Sequence, residues 1–351
     1  MQMKINVLLN LGKKPSGAAR PVIEFFNKLS MNHDIVMYKA YNPNKNGLEY
    51  FIREKIGFLL KGRKYTQNWI VSNFPVKIIP YYHEKWVRDG DIVFFRSADL
   101  ATVVSHWGIE KGKKVMRVSN IHIFDSHIRI PENIVLIPSS TMIYEKLKIL
   151  YPGHTIYRVG NGVNCKFFSP GNRTYDKPAS LGMILYEGRH SGHKGMDVGF
   201  EVMKSIKRKF PYLRFLVVGL KKQRNIPDFV EFIDGSTSNG MLQFYRKTDI
   251  FLYSSLADAW PNPPMEAMAC GCAVVTTDVG GVRDFAKNRE TAIICAPGDI
   301  EELTMAVEHL IFNPEFWVKL AKNGNIAIQQ FDYNIQAKIL EKIFYEILST
   351  S

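Results

Sequence analysis

Short apolar runs recur along this chain, and between them the apolar residues fall at the three-to-four spacing of helices. Residues 5–10, 35–39, 92–95, 114–118 and 134–137 read as strands in the first half. Residues 183–186, 213–218, 250–253, 273–276 and 292–295 repeat the series in the second. Helical periodicity follows the strands: Met196, Gly199, Met203, Ile206 and Phe210 fall on one face after the run at 183–186. Strands alternating with helices predict parallel α/β architecture, here twice over. Between the two series, residues 157–170 (YRVGNGVNCKFFSP) are dense in Gly, Asn and Pro and mark a hinge. The expected domains are 1–158, 159–330 and a last helical segment, 331–351, with its helix at about 334–348.

Length and composition agree with two soluble domains. A chain of 351 residues exceeds what one core usually serves, and 46% hydrophobic with 23% charged residues is a globular balance. The apolar run at 5–11 lacks a small-residue cleavage site after it and reads as a first buried strand, not a signal peptide. No apolar run approaches the roughly 18 residues of a membrane span. Cys165, Cys270, Cys272 and Cys295 are too few and too unevenly placed for a disulfide framework or a zinc site, so they read as buried thiols of a cytoplasmic protein. The formal charge of +13 points to an anionic partner, whether nucleic acid, acidic lipid or a phosphorylated small molecule. Residues 49–65 (EYFIREKIGFLLKGRKY) add a basic amphipathic pattern that suits either an anionic membrane surface or an ordinary core-facing helix.

The chemistry concentrates in two segments. Residues 254–281 (SSLADAWPNPPMEAMACGCAVVTTDVGG) read as a strand end, a loop rich in Pro and Asn, and a helix opening near Pro264 with Glu266 in its first turn. A helix N-terminus offers N–H groups and partial positive charge to a phosphate. Residues 185–197 (LYEGRHSGHKGMD) carry Gly188 and Arg189 into a loop, and Lys194 and Gly195 open the next helix, so two cations converge where an anion fits.

The first segment resembles the family-four retaining glycosyltransferases of GT-B fold, whose signature is two glutamates separated by seven residues before Ala-Met-Ala-Cys-Gly. Glu266 stands at the second glutamate and Asp258 at the first, a departure that shortens the reach by one methylene. The resemblance implies two Rossmann-like domains facing a central cleft, the last helix returning to the first. It places Arg189 and Lys194 on the donor diphosphate, joined by Gly17, Gly188, Asn262 and Pro263, with Glu266 on the ribose and Asp258 on the sugar. It also makes His122 the candidate catalytic histidine, with Arg20 and Asn161 on the acceptor side or the hinge. The implied substrates are a UDP-, GDP- or dTDP-sugar and a glycan or lipid-linked acceptor; no cofactor and no metal are expected. The basic pattern at 49–65 and the charge of +13 add the expectation that the protein rests peripherally on the inner membrane face.

Rival readings leave weaker traces. Asp89-Gly90-Asp91 matches the metal signature of the other glycosyltransferase fold but reads better as a turn cluster. His106 and His127 are alternatives to His122. A sugar-nucleotide epimerase would share the fold, whereas a phosphorylase would need a longer chain and a pyridoxal lysine. A nucleic-acid-binding protein would suit the charge, yet no recognition motif accompanies it, and no nucleic acid is expected. Base selection is expected to rest on backbone groups near Phe232 and Ile233, which leave no side-chain signature.

Overall fold

A computed structural model describes residues 1–9, 19–40, 66–67, 70–119, 129–186, 192–223 and 226–350. Two compact units emerge: Met1–Asn161 with Tyr333–Ser351, and Gly162–Asp332. The chain therefore changes unit between Asn161 and Gly162, three residues beyond the expected boundary, and again between Asp332 and Tyr333.

The first unit contains β1 (Lys4–Leu8), β2 (Asp34–Ala40), β3 (Thr66–Gln67), β4 (Ile70–Val71), β5 (Val76–Ile79), β6 (Ile92–Phe95), β7 (Lys113–Val118) and β8 (Ile134–Pro138). Six of these form one parallel sheet in the order β5-β2-β1-β6-β7-β8, while β3 and β4 pair antiparallel by themselves. Strands buried on both faces need continuous apolar runs, and β6 supplies one, with all four residues buried. Asn6 is the polar exception inside β1, and it is satisfied by Arg88, whose carbonyl accepts from Asn6 Nδ2 at 2.9 Å.

The last helix, Tyr333–Ser349, completes this first core. Tyr333, Leu340, Ile343, Phe344 and Ile347 are buried there against the helix Arg20–Leu29. Tyr333 meets Phe25 edge to face at 5.6 Å, and His33 Nε2 lies 2.7 Å from Glu341 Oε1. Near the boundary, Arg117 donates from Nη1 to the Val159 carbonyl at 2.6 Å and from Nη2 to Asn161 Oδ1 at 2.9 Å.

The second unit repeats the plan with β9 (Ser180–Ile184), β10 (Arg214–Gly219), β11 (Val230–Asp234), β12 (Ile250–Tyr253), β13 (Ala273–Thr277) and β14 (Ile293–Cys295). Its order, β11-β10-β9-β12-β13-β14, is again all parallel. Counted along the chain within each sheet, both orders are 3-2-1-4-5-6, the doubly wound arrangement in which connections leave in opposite directions from a central pair. Those pairs are β1 with β6 and β9 with β12, and the crevice beyond their carboxyl ends is where such sheets hold ligands.

The strands at 92–95 and 250–253 have the expected limits. The expected strand at 183–186 lies earlier, at Ser180–Ile184, because Ser180 and Gly182 interrupt its apolar run. Edge strands β5 and β11 were not expected, and Phe232 and Ile233 lie within β11. Asp89 and Asp91 belong to the amino edge of the first sheet. Asp89 pairs with Lys111 Nζ at 2.8 Å, and Asp91 Oδ2 accepts from the Lys4 amide at 2.6 Å.

Candidate functional site

At the switch point of the second sheet, two loops are stitched together by their backbones. The residues after β12 turn back over the segment that opens the helix Met196–Lys209. Leu256 N donates to the His193 carbonyl at 2.8 Å, Ser255 Oγ to the same carbonyl at 3.1 Å, and Ser254 Oγ to the Gly195 carbonyl at 2.8 Å. Gly195 makes this approach possible. Its φ is +59°, and a Cβ there would lie 1.8 Å from the Ser254 carbonyl oxygen. Gly280 closes on the same loop from beyond β13, where a Cβ would lie 2.1 Å from the Asp258 carbonyl oxygen.

This stitching brings Lys194 and Asp258 together. Lys194 Nζ forms an ion pair with Asp258 Oδ2, which also accepts from Tyr253 Oη at 2.6 Å. Asp258 Oδ1 accepts from the Trp260 amide at 3.1 Å. The ammonium lies 5.5 Å from the centre of the Tyr186 ring, within cation–π range. Both members of the pair keep about a fifth of their side-chain surface exposed (21% and 17%), so a ligand can reach them. Burial, then the Asp258 carboxylate, holds the Tyr253 phenol well above its ordinary range; burial does the same for Tyr186. Both phenols therefore stay protonated as donors at neutral pH.

Glu266 occupies the helix Asn262–Ala269, which opens two residues earlier than expected. The consequence is a correction: Glu266 is in the second turn, and Pro263 and Pro264 remove N–H groups from the first turn, leaving Asn262 its only donor among the first three residues. The helix dipole remains, but the expected cradle of amides at this helix does not. Glu266 is buried, and its Oε2 accepts from Tyr245 Oη at 2.8 Å. Burial and that carboxylate raise the Tyr245 phenol far above its usual range. Trp260 packs over the same helix, its Nε1 3.0 Å from Met265 Sδ.

The other expected site residues divide by place. Arg20 opens the helix after β1 and is buried, and Asn161 is tied to Arg117 inside the first unit. His106 is exposed and bonded to its own helix, with Nδ1 2.6 Å from the Thr102 carbonyl. Gly17, His122, His127, Gly188 and Arg189 lie outside the described residues, as does the basic stretch at 49–65. Tyr186, Tyr245 and Tyr253 were missed; a tyrosine at a strand's carboxyl end, as Tyr253 is in β12, was the available signal.

Residues 173–326 match the family model described as glycosyl transferases group 1. An uncharacterized glycosyltransferase of Haemophilus influenzae is 28% identical over 170 residues, which is 45% of this chain and 47% of that protein. The chain thus spans about half the length of the curated relatives it matches. Among solved structures, sucrose-phosphate synthase from Thermosynechococcus elongatus superposes with a TM-score of 0.72 at 16% identity, covering 100% of both chains. Anabaena HepE in complex with UDP-glucose gives 0.72 at 14% identity, covering 98% of this chain and 100% of that one. The stretch 173–326 is therefore a glycosyl transferases group 1 domain, in a chain that has the fold of the GT-B glycosyltransferases.

Proposed function

We propose that this protein is a retaining, metal-independent glycosyltransferase that moves a sugar from a nucleotide-sugar to a hydroxyl of a glycan or lipid-linked acceptor. The observation that carries the reading is the Lys194–Asp258 pair at the second switch point, within a cluster of buried phenols. A donor diphosphate brings two or more negative charges to Lys194 and competes with Asp258 for it. Once the lysine turns to the leaving group, it stabilises the charge that develops as the C1–O bond to the diphosphate breaks. Asp258, still held by Tyr253 and the Trp260 amide, is then free on its lysine side to accept a hydrogen bond from a sugar hydroxyl. Glu266 serves the ribose. The acceptor oxygen bonds to C1 on the same face, and its proton passes to a departing phosphate oxygen, so no protein base is required.

UDP is the first nucleotide to test, because HepE is a structural neighbour crystallised with UDP-glucose. The charge of +13 and the basic pattern at 49–65 favour an acceptor at an anionic membrane surface, and the expected location is the cytoplasmic face. Among the described residues no helix is long and apolar enough to cross a membrane.

The test combines calorimetric titration of UDP, GDP and dTDP with nucleotide release from their sugars, in EDTA, with and without anionic vesicles. One nucleotide should bind, and Lys194→Met should weaken it about ten- to a hundredfold, the worth of a charged hydrogen bond of roughly 1.5–3 kcal/mol. Equal binding by wild type and variant, or binding of none, would overturn the assignment. Loss of release in EDTA with recovery in manganese would overturn metal independence.

A further inference from the structure

Three neighbouring strands of the first sheet each end one residue before a polar side chain. Arg96 follows β6, Ser119 follows β7 and Ser139 follows β8. The strands are in register there: Phe95 pairs with Met116 and Val118 with Pro138. Arg96 Nη2 donates to Ser119 Oγ at 3.1 Å, and Ser139 N donates to the Val118 carbonyl at 2.9 Å. Arg117, the penultimate residue of β7, is buried beside them, with its Nη atoms on Val159 and Asn161.

Two features of this cluster are unexplained by folding. Arg96 Nε and Ser139 Oγ are shielded from solvent and have no hydrogen-bond partner, although Ser139 is fully buried. Among the described residues, no carboxylate pairs with Arg96 or Arg117, so a half-buried guanidinium and a buried one, the latter over the Phe25 ring at 5.7 Å, stand side by side without a counter-charge. Burial, reinforced by the neighbouring Arg96, pushes Arg117 down to about 9, and burial lowers Arg96 as well. Both remain charged at neutral pH. Buried charges are costly unless paired, and buried polar groups are almost always satisfied. Beside Ser139 begins the helix Thr141–Leu150, capped by Ser140, whose Oγ accepts from Ile143 N at 3.3 Å. Its N-terminus adds partial positive charge to the same edge.

We propose that the carboxyl edge of the first sheet binds a phosphate group of the acceptor, with Arg96 Nε and Ser139 Oγ as donors and Arg117 as supporting charge. Arg96 also fixes Ser119 at the rim, so a tetrahedral oxyanion meets donors from three successive strand ends. Naming the phosphate as the acceptor's rests on the transferase reading; the anion site itself does not.

The test is thermal unfolding of the full chain in inorganic phosphate against sodium chloride of equal ionic strength, with UDP present at saturation to occupy the second unit. The melting temperature should rise with phosphate. Arg96→Gln should weaken the apparent affinity about tenfold or more, and Ser139→Ala should weaken it less, in the proportion of a charged to a neutral hydrogen bond. UDP binding should be unchanged in both variants. No rise beyond chloride in the wild type, or an equal rise in wild type and Ser139→Ala together with Arg96→Gln or, where that variant does not fold, with Arg96→Lys, overturns the site. Where UDP itself does not bind, the transferase reading fails separately, and the phosphate titration is run on Lys194→Met with the same criteria. Glycerol 3-phosphate in solution and phosphatidic acid vesicles then separate the sources. Arg96-dependent stabilisation by the first assigns a soluble phosphomonoester, and Arg96-dependent sedimentation with the second assigns a lipid headgroup.

Discussion

The two units share a strand order but differ in how charge is arranged at the carboxyl edge of each sheet. In the second, the cation Lys194 already holds a carboxylate, Asp258, and three phenols are bonded or packed around the acidic groups. In the first, Arg96 and Arg117 have no such carboxylate among the described residues. Topology fixes where a ligand sits in such sheets, and the residues that follow each strand, at its end or in its loop, fix what charge it meets. A self-paired edge can exchange partners with an incoming anion at little cost. An unpaired edge gains most when the anion arrives.

The largest expected effect tests whether the stitched loops of the second unit are what distinguish it. Gly195→Ala places a methyl 1.8 Å from the Ser254 carbonyl oxygen in a left-handed conformation, so urea unfolding should show a loss of roughly 1–3 kcal/mol or more. Gly153→Ala in the first unit, whose new methyl would have no neighbour nearer than 3.4 Å, should cost far less; equal losses would show that Gly195 is not a constrained position. A middling effect is expected from Asp258→Asn. Removing the counter-charge releases Lys194, so bare UDP should bind up to about tenfold tighter, ~1.4 kcal/mol, while transfer falls. Weaker UDP binding in calorimetry would mean that Asp258 positions the lysine instead of competing for it.

The smallest effect concerns alkaline pH and the thiols, all of which belong to the second unit. Burial pushes Cys165, Cys272 and Cys295 up to about 12 from a usual 9.0. Their folded values are raised, so the stability they contribute is complete below pH 9 and is lost as pH rises toward 12. The urea midpoint should fall between pH 8.5 and 10.5, and Cys272→Ala should flatten that fall. Parallel slopes in the two proteins would rule out the thiol as a source.

Much of the fold was legible because inner parallel strands are apolar on both faces. β6 and β12 are unbroken runs, and their limits were readable to the residue. The edge strands β5 and β11 were not, because Lys77 and Glu231 interrupt them where one side lacks a neighbour. In the site, Lys194 and Asp258 were visible as motif residues. Their pairing was not, since 64 residues separate them and only the Gly195 approach to Ser254 brings them together. The helix start at Asn262 was misplaced because two successive prolines fit several early helical positions.

The last helix has a consequence for how the molecule is made. The second unit is one continuous stretch, Gly162–Asp332, whereas the first lacks Tyr333, Leu340, Phe344 and Ile347 until those residues emerge. At a translation rate of about 5–20 residues per second, the first sheet waits roughly 10–40 s with the helix Arg20–Leu29 uncovered. Its partner arrives only after the second core has been synthesised. The order of maturation on the ribosome is therefore the reverse of the order of the units along the chain, and the interval of greatest exposure to chaperones belongs to the part made first.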